Sequence, residues 1–384
     1  MPQLNFNEAF IEIQAGNHFI DDTLIMSLAE PNNTLYWQDK TVRLENIEIP
    51  AYVVASYENV LHTHGTFEGF RKIQSENKWL RVHNSHEWYD LYQNDSQSEL
   101  LQYFDYYLKG IDNGWEETPQ IRVSLLDPNG TDVVNRVIEE WPPSDYTFSQ
   151  LYLHPNNTMS PDQGAIAANV SYAAVNGSAI FQIPVEEESE LLGYMKLRLW
   201  VEAVGSDDMD LYITVTKVSA NGDALLRTLP QGGTSISAAY QYSHVSRRQL
   251  DTDKSTESEP VLLFQGEQML SAGEIVPVDI GLWPLGLRIH AGEMLQVTVE
   301  PGVDSIGGPA FGSAEIPVPR ESFTFMPADN ITFVTLGDPT LWAPDWVTEQ
   351  APSQTSRNIG THVIHMGGQY DSHLLVPLKT VRHV

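Results

Sequence analysis

Near residue 119 the hydrophobic pattern of this chain changes period, and the change limits what each part can fold into. Beyond it, Met195, Leu197, Leu199 and Val201 alternate with Lys196, Arg198, Trp200 and Glu202. Leu211, Ile213 and Val215 alternate with Tyr212, Thr214 and Thr216, and Leu295, Val297 and Val299 with Gln296, Thr298 and Glu300. A period of two sends successive side chains to opposite faces, so each run predicts a strand with one buried face. Gly and Pro clusters at 230–233 and 307–309 punctuate the runs, and 251–260 is polar enough for a surface loop. Many short half-buried strands with turn signals and no helical period predict a two-sheet sandwich.

Before residue 119 the pattern is different. Residues 49–56 are almost continuously apolar, as a buried parallel strand is, and stop at the polar loop Tyr57, Glu58, Asn59. Phe67, Phe70 and Ile73 recur at threes and predict a helix over 63–77. A second strand over 79–82 runs into His83, Asn84, Ser85 and His86. The next helix starts near Ser96 with a capping box to Glu99, presents Leu100, Leu101, Phe104, Tyr107 and Leu108 on one face, and stops at Gly110. A carboxylate and then a histidine, each just past a strand's C-terminal end, is the order of the last two units of an α/β-hydrolase. The nucleophile is missing from it. The nearest approach to Gly-x-Ser-x-Gly surrounds Ser305, which follows a β-rich segment and runs into Gly308 and Pro309 where an elbow needs a helix.

Each candidate has a plain reading beside the functional one. Glu58 as the triad acid would hold the histidine's tautomer and stabilise its cation; the alternative is a solvated loop carboxylate. His83 is the candidate general base, and His86, three residues on, aligns about as well. His62 and His64 read as polar residues at a helix start, since i, i+2 spacing on a loop does not build a metal site. Asp207, Asp208 and Asp210 offer oxygen ligands for calcium, although a turn rich in Asp accounts for them. Trp283, Trp342 and Trp346 stack a sugar or seal a junction. Leu35, Tyr36 and Trp37 read as packing residues.

Several stretches in order resemble the X-prolyl dipeptidyl-peptidase and cocaine-esterase-like serine hydrolases: 49–56 through 61–66, then 78–83, 104–110 and 115–119. Further on, 246–251, 273–278, 291–293 and 367–372 resemble that family's C-terminal jelly roll. The resemblance implies an α/β plus all-β chain: a helical cap remnant over 1–46, the C-terminal portion of an α/β-hydrolase over 47–118, and a jelly-roll β-sandwich over 119–384. It implies hydrolysis of a small-molecule or peptide acyl substrate through an acyl-serine intermediate, without cofactor or metal. Glu58 with His83 or His86 would be the surviving site residues, and the chain alone would be inactive for want of the serine. Glu58 departs from the cocaine-esterase branch, which has Asp there. The reading from another class is a noncatalytic carbohydrate- or protein-binding sandwich.

Composition narrows the partners. With 384 residues, 41% hydrophobic and 10% aromatic, the chain has core material for two or three domains. A formal charge of -30 argues against binding nucleic acid or an anionic membrane, which need clustered Lys and Arg. No apolar run approaches the ~20 residues of a spanning helix, and the start of the chain lacks the basic and apolar regions of a signal peptide. The absence of cysteine excludes disulfides and thiolate metal sites. Glycosylation sequons occur at Asn32, Asn94, Asn129, Asn156, Asn169, Asn176 and Asn330. Compartment stays open, leaning to the cytoplasm, and so does the oligomeric state.

Overall fold

The computed structural model describes residues 26, 29–58, 62–301 and 359–381, which form a mostly β-sheet molecule with few helices. The expected helix around Phe6, Phe10 and Ile13 lies outside the described residues, as does most of that over 23–29. Helix α1 (Leu35–Lys40) buries none of its residues, and Leu35, expected to pack, stands 81% exposed.

The first sheet is ordered β1 (Ala51–Ser56), β2 (Lys78–His83), β3 (Ile121–Leu125), β4 (Val133–Val137). β1, β2 and β3 are parallel and β4 is antiparallel. Parallel neighbours need a crossover, supplied by α2 (Thr63–Lys72) before β2 and by α3 (Glu87–Leu91) and α4 (Asn94–Lys109) before β3. Helix α2 ends at Lys72, short of the expected Asn77, because Ile73 turns extended and the Lys78 ammonium donates to the Phe70 and Ile73 carbonyls at 2.9 and 2.8 Å. Its residues Phe67 and Phe70 are buried as expected.

Strand β2 divides its side chains between two environments. Leu80 and Val82 join Phe67 and Phe70 in the main core. Trp79 belongs instead to an aromatic cluster with Tyr103 and Trp115, their ring centroids 5.1 to 6.5 Å apart. That cluster sets how α4 docks. The helix buries Ser96 and Tyr103, while Leu101, Phe104 and Leu108 are 58%, 48% and 76% exposed. The apolar face expected on α4 is therefore only in part its docking face: Tyr107 packs on the cluster and Leu100 is half-buried, but the contact centres on Tyr103, which packs on Trp79 and Trp115 and donates its hydroxyl to the Pro50 carbonyl at 2.7 Å. The helix ends as expected at Gly110, whose φ of 67° is the left-handed conformation that glycine adopts without strain.

The second, larger region comprises β5 (Thr147–His154), β6 (Thr158–Ser160), β7 (Ala168–Ala173), β8 (Ala179–Pro184), β9 (Ser189–Val204), β10 (Asp210–Val218), β11 (Arg227–Thr228), β12 (Thr234–Ser235), β13 (Ala238–His244), β14 (Val276–Ile289), β15 (Met294–Glu300), β16 (Thr361–Met366) and β17 (His373–Thr380). Its main sheet has the order β13-β10-β15-β8-β6-β5-β17-β9-β16-β7, with β14 also paired to β9, and β11 with β12 forms a separate ribbon. The predicted alternation holds here: Leu197, Leu199, Val201, Ile213, Val215, Val297 and Val299 are fully buried.

The two regions share one core. Phe67 stacks on Trp141 at 4.6 Å, and the cluster that holds Phe67 and Leu80 continues to Leu191 and Leu285. β3 and β4, although past the change of period, extend the first sheet. The chain after β3 then lies along β14, with hydrogen bonds of 2.9 Å from the Leu126 N–H to the Gly286 carbonyl and from the Arg288 N–H to the Leu126 carbonyl. Gly286 permits this approach, since a Cβ there would stand 2.4 Å from the Ser124 carbonyl oxygen.

Candidate active site

Because β1 and β2 are parallel and Ser56 is in register with His83, the loops carrying Glu58 and the histidines leave the same edge of the sheet side by side. Ser56 ties them together. Its hydroxyl donates to the Ser85 carbonyl at 2.6 Å and accepts from the Glu58 N–H at 3.0 Å. The Thr63 hydroxyl closes the start of α2 onto the Ser56 carbonyl at 2.6 Å.

The Glu58 carboxylate accepts from the Arg227 guanidinium at 2.5 Å and from the Ser235 hydroxyl at 3.3 Å. Arg227 is 2% exposed and also donates to Asp132 at 2.7 Å, to the Asn84 carbonyl at 2.8 Å and to the Ser237 hydroxyl at 3.2 Å. Asn84 completes the ring by donating to Asp132 at 2.7 Å. One planar, permanently charged fork thus joins the acid loop, the histidine loop and β11. The sequence reading missed Arg227 and Asp132. Arg227 stands 169 positions from Glu58 with no local pattern to mark it.

His83 lies on the α3 side of the sheet and is 6% exposed. Its Nδ1 is 3.2 Å from the Ser85 hydroxyl and 3.4 Å from the Ser85 N–H. Burial pushes its pKa down to about 4, against the pull of Asp90, so near neutral pH the ring is an uncharged proton acceptor. The carboxylate that approaches it is Asp90, at 3.9 Å. Asp90 is itself held in bidentate contact by Arg81 at 2.9 and 2.5 Å. Arg81 further donates to the Tyr52 hydroxyl at 2.9 Å, which donates to Glu99 at 2.6 Å; burial pushes the Tyr52 pKa up to about 12. Among the described residues no hydrogen bond or ion pair joins Glu58 to His83. His86 is half-buried and caps α3, its Nδ1 accepting from the Trp88 N–H at 3.3 Å and its Nε2 standing 3.5 Å from Glu87.

The other candidates have structural partners. His64 stacks on Trp283 at 5.8 Å, and Trp283 packs on Tyr240 at 4.9 Å, so this tryptophan seals α2 against β14. His62 precedes α2. Asp208 accepts from the Met209 and Ser246 N–H groups at 2.8 Å, fixing a turn. Asp210 contacts His244 at 2.5 Å; burial lowers the pKa of that imidazole, but the hydrogen bond and charge of Asp210 outweigh it and raise the value. Among the described residues no group of three His, Asp or Glu converges on a metal position. Ser305, Trp342 and Trp346 lie outside the described residues. No helix among the described residues is long and apolar enough to cross a membrane.

Glu58 also lines a cavity of about 350 Å³, formed between its loop and the face of β10, β13 and β15. Residues of both regions line it.

Comparison with known proteins places this arrangement. The family described as the X-Pro dipeptidyl-peptidase C-terminal non-catalytic domain matches residues 113–375. Two crystal structures of a CocE/NonD family hydrolase from Staphylococcus aureus are similar to this one. One has 28% identity and a TM-score of 0.76, covering 94% of this chain and 59% of that one. The other has 27% identity and a TM-score of 0.79, covering 98% of this chain and 62% of that one. An aminopeptidase from a marine sediment Thaumarchaeota archaeon shares the fold at 13% identity, with a TM-score of 0.58 over 92% of this chain and 59% of its own. No curated protein matches the chain. The chain belongs to the X-prolyl dipeptidyl-peptidase and cocaine-esterase-like hydrolase family. It spans 59 to 62% of the length of its Staphylococcus relative.

Proposed function

We propose that this chain supplies the acid-and-histidine end of a serine-hydrolase site, carried on the C-terminal portion of an α/β-hydrolase sheet and backed by a jelly-roll sandwich. The reaction is hydrolysis of an acyl ester or amide, of dipeptidyl-peptidase or esterase type, through an acyl-serine intermediate. The observation that carries this reading is the emergence of Glu58 and of His83 and His86 from neighbouring loops at the C-terminal ends of parallel β1 and β2, in a chain of that hydrolase family. In such a site the histidine takes the serine proton and returns it to the leaving group, while the carboxylate fixes the tautomer and stabilises the cation.

His83 is in the proton-accepting form, yet its burial makes it a weak base; His86, less buried, is the alternative. Glu58 serves either only by sharing its charge with Arg227, which the second carboxylate, Asp132, partly satisfies. Without an elbow serine in the sequence, the chain alone forms no acyl-enzyme.

The test is to join the chain to the part of the Staphylococcus hydrolase that it does not cover, and to follow hydrolysis of p-nitrophenyl acetate and an aminoacyl-proline anilide. The joined protein gains turnover that the chain alone lacks, and His83→Ala or His86→Ala removes on the order of 10⁴-fold of it, as loss of a triad member does. Unchanged turnover in both variants would sink the reading. A noncatalytic binding module is the second reading. It is supported by the non-catalytic description of the matching family and by the Arg227 and Asp132 cluster that engages Glu58.

A further inference from the structure

The cavity beside Glu58 has a wall set by strand register. On β10 and β15, Tyr212 faces Glu300, Thr214 faces Thr298 and Thr216 faces Gln296. On β10 and β13, Thr214 faces Tyr240 and Thr216 faces Ala238. These positions share one parity, so their side chains stand on one face of the sheet, and all of them line the cavity.

The charges around this space are unevenly matched. Lys217, the cation in the lining, is fully buried and already contacts Asp127 at 2.8 Å and Glu293 at 2.9 Å. Arg227, behind Glu58, likewise has Glu58 and Asp132. Each cation is therefore shared by two carboxylates. Glu300 is half-buried and, among the described residues, has no hydrogen-bond or ion-pair partner. Burial raises its pKa, the direction expected of a carboxylate withdrawn from water without a counter-ion. The Tyr240 hydroxyl is also buried without a hydrogen-bond partner among the described residues, and burial, with the Glu58 charge, pushes its pKa up.

A carboxylate without a counter-ion among the described residues at one end, an aromatic ring beside it and a row of hydroxyls leading away make a receptor for a cation with a polarisable body. Anions are excluded by the surplus of carboxylates. We propose that this cavity binds a small organic ammonium ion, its charge against Glu300 and the Tyr212 ring and its body along the row formed by Thr298, Thr214 and Tyr240. A volume of about 350 Å³ lies in the range of small-molecule sites. The inference does not depend on the proposed hydrolysis, because binding is read directly and Glu300 lies on neither catalytic loop.

The experiment is calorimetric titration of the full chain near pH 8 with phenethylamine, 2-phenylethanol and phenylacetate, which differ mainly in charge. Phenethylamine binds saturably; the alcohol and the anion do not. Glu300→Gln weakens the amine by about tenfold or more, the loss expected for a charge-assisted contact. Thr298→Lys, which places an internal ammonium two residues from Glu300 on the same face, blocks binding and guards against a folding defect in the first variant. Acidification through the raised Glu300 pKa releases the ligand, because only the ionised carboxylate attracts it. The proposal is overturned if wild type shows no saturable binding up to about 10 mM, if the alcohol binds as well as the amine, or if both variants bind like wild type.

Discussion

The two sheets bury apolar surface in different ways. In the larger region the alternate apolar residues of β9, β10 and β15, such as Leu197, Leu199, Val201, Ile213, Val215, Val297 and Val299, are fully buried in the main core. The first sheet packs Leu80 and Val82 against that shared core, while its other face holds an aromatic cluster and a set of buried charges. Outside that face, α4 leaves Leu101, Phe104 and Leu108 exposed. Stability in the large region thus rests mainly on dispersion and apolar burial, with the buried contact of Lys217 to Asp127 and Glu293 as an exception, whereas the loops of the first sheet rest on hydrogen-bonded charges, Arg227 of β11 among them, that must all be matched. A charge cluster is unforgiving: removing one partner strands the others.

The largest expected effect breaks that cluster. Arg227→Met leaves Glu58 and Asp132 facing each other without their cation, and chemical denaturation should find the chain about 3–5 kcal/mol less stable. A loss under about 1 kcal/mol would mean that the cluster does not hold the loops. In the large region Leu199→Ala, fully buried on β9, is expected to cost about 2–5 kcal/mol through lost burial and a cavity, with little effect on the histidine loop.

A pH series sharpens the contrast. Unfolded, His83 titrates near its ordinary value of 6.5, while in the fold its pKa is about 4. Between these values the unfolded chain holds the extra proton, so stability rises with pH across the window and is lost as pH falls through it. The contribution is at most on the order of 3 kcal/mol. His362 is displaced to about 4 as well, so the readout is the difference between wild type and His83→Gln, which should lose part of the slope. Identical slopes would contradict the burial of His83. At the small end, Leu108→Gln on the exposed side of α4 should change stability by no more than about 0.5 kcal/mol. A cost matching that of Leu199→Ala would erase the distinction between the regions.

Much of the fold was legible because periodicity reports burial directly. The alternation through β9, β10 and β15 placed the right residues inside. The apolar run did become β1, but only Ala55 and Ser56 of it are buried, Ala51 to Val54 are half-buried and Ile49 is exposed. The docking face of α4 was legible only in part: Tyr107 was expected on it and packs there, but Tyr103 was not, because tyrosines fit either side of a helix and the choice was made by Trp79 and Trp115, distant in sequence. For the site, sequence placed Glu58 and His83 at strand ends but not their partners. Arg227 and Asp132 approach Glu58 only through tertiary folding, and Asp90 approaches His83 through a helix that was not expected.

The central claim, that this chain carries the acid and histidine of a serine-hydrolase site without an activated serine, is tested most directly by intact-mass analysis after treatment with a fluorophosphonate, which labels activated serines. The account predicts an unchanged mass. A stoichiometric adduct mapped to a single serine, Ser305 or any other, would contradict it and make the chain a complete catalyst.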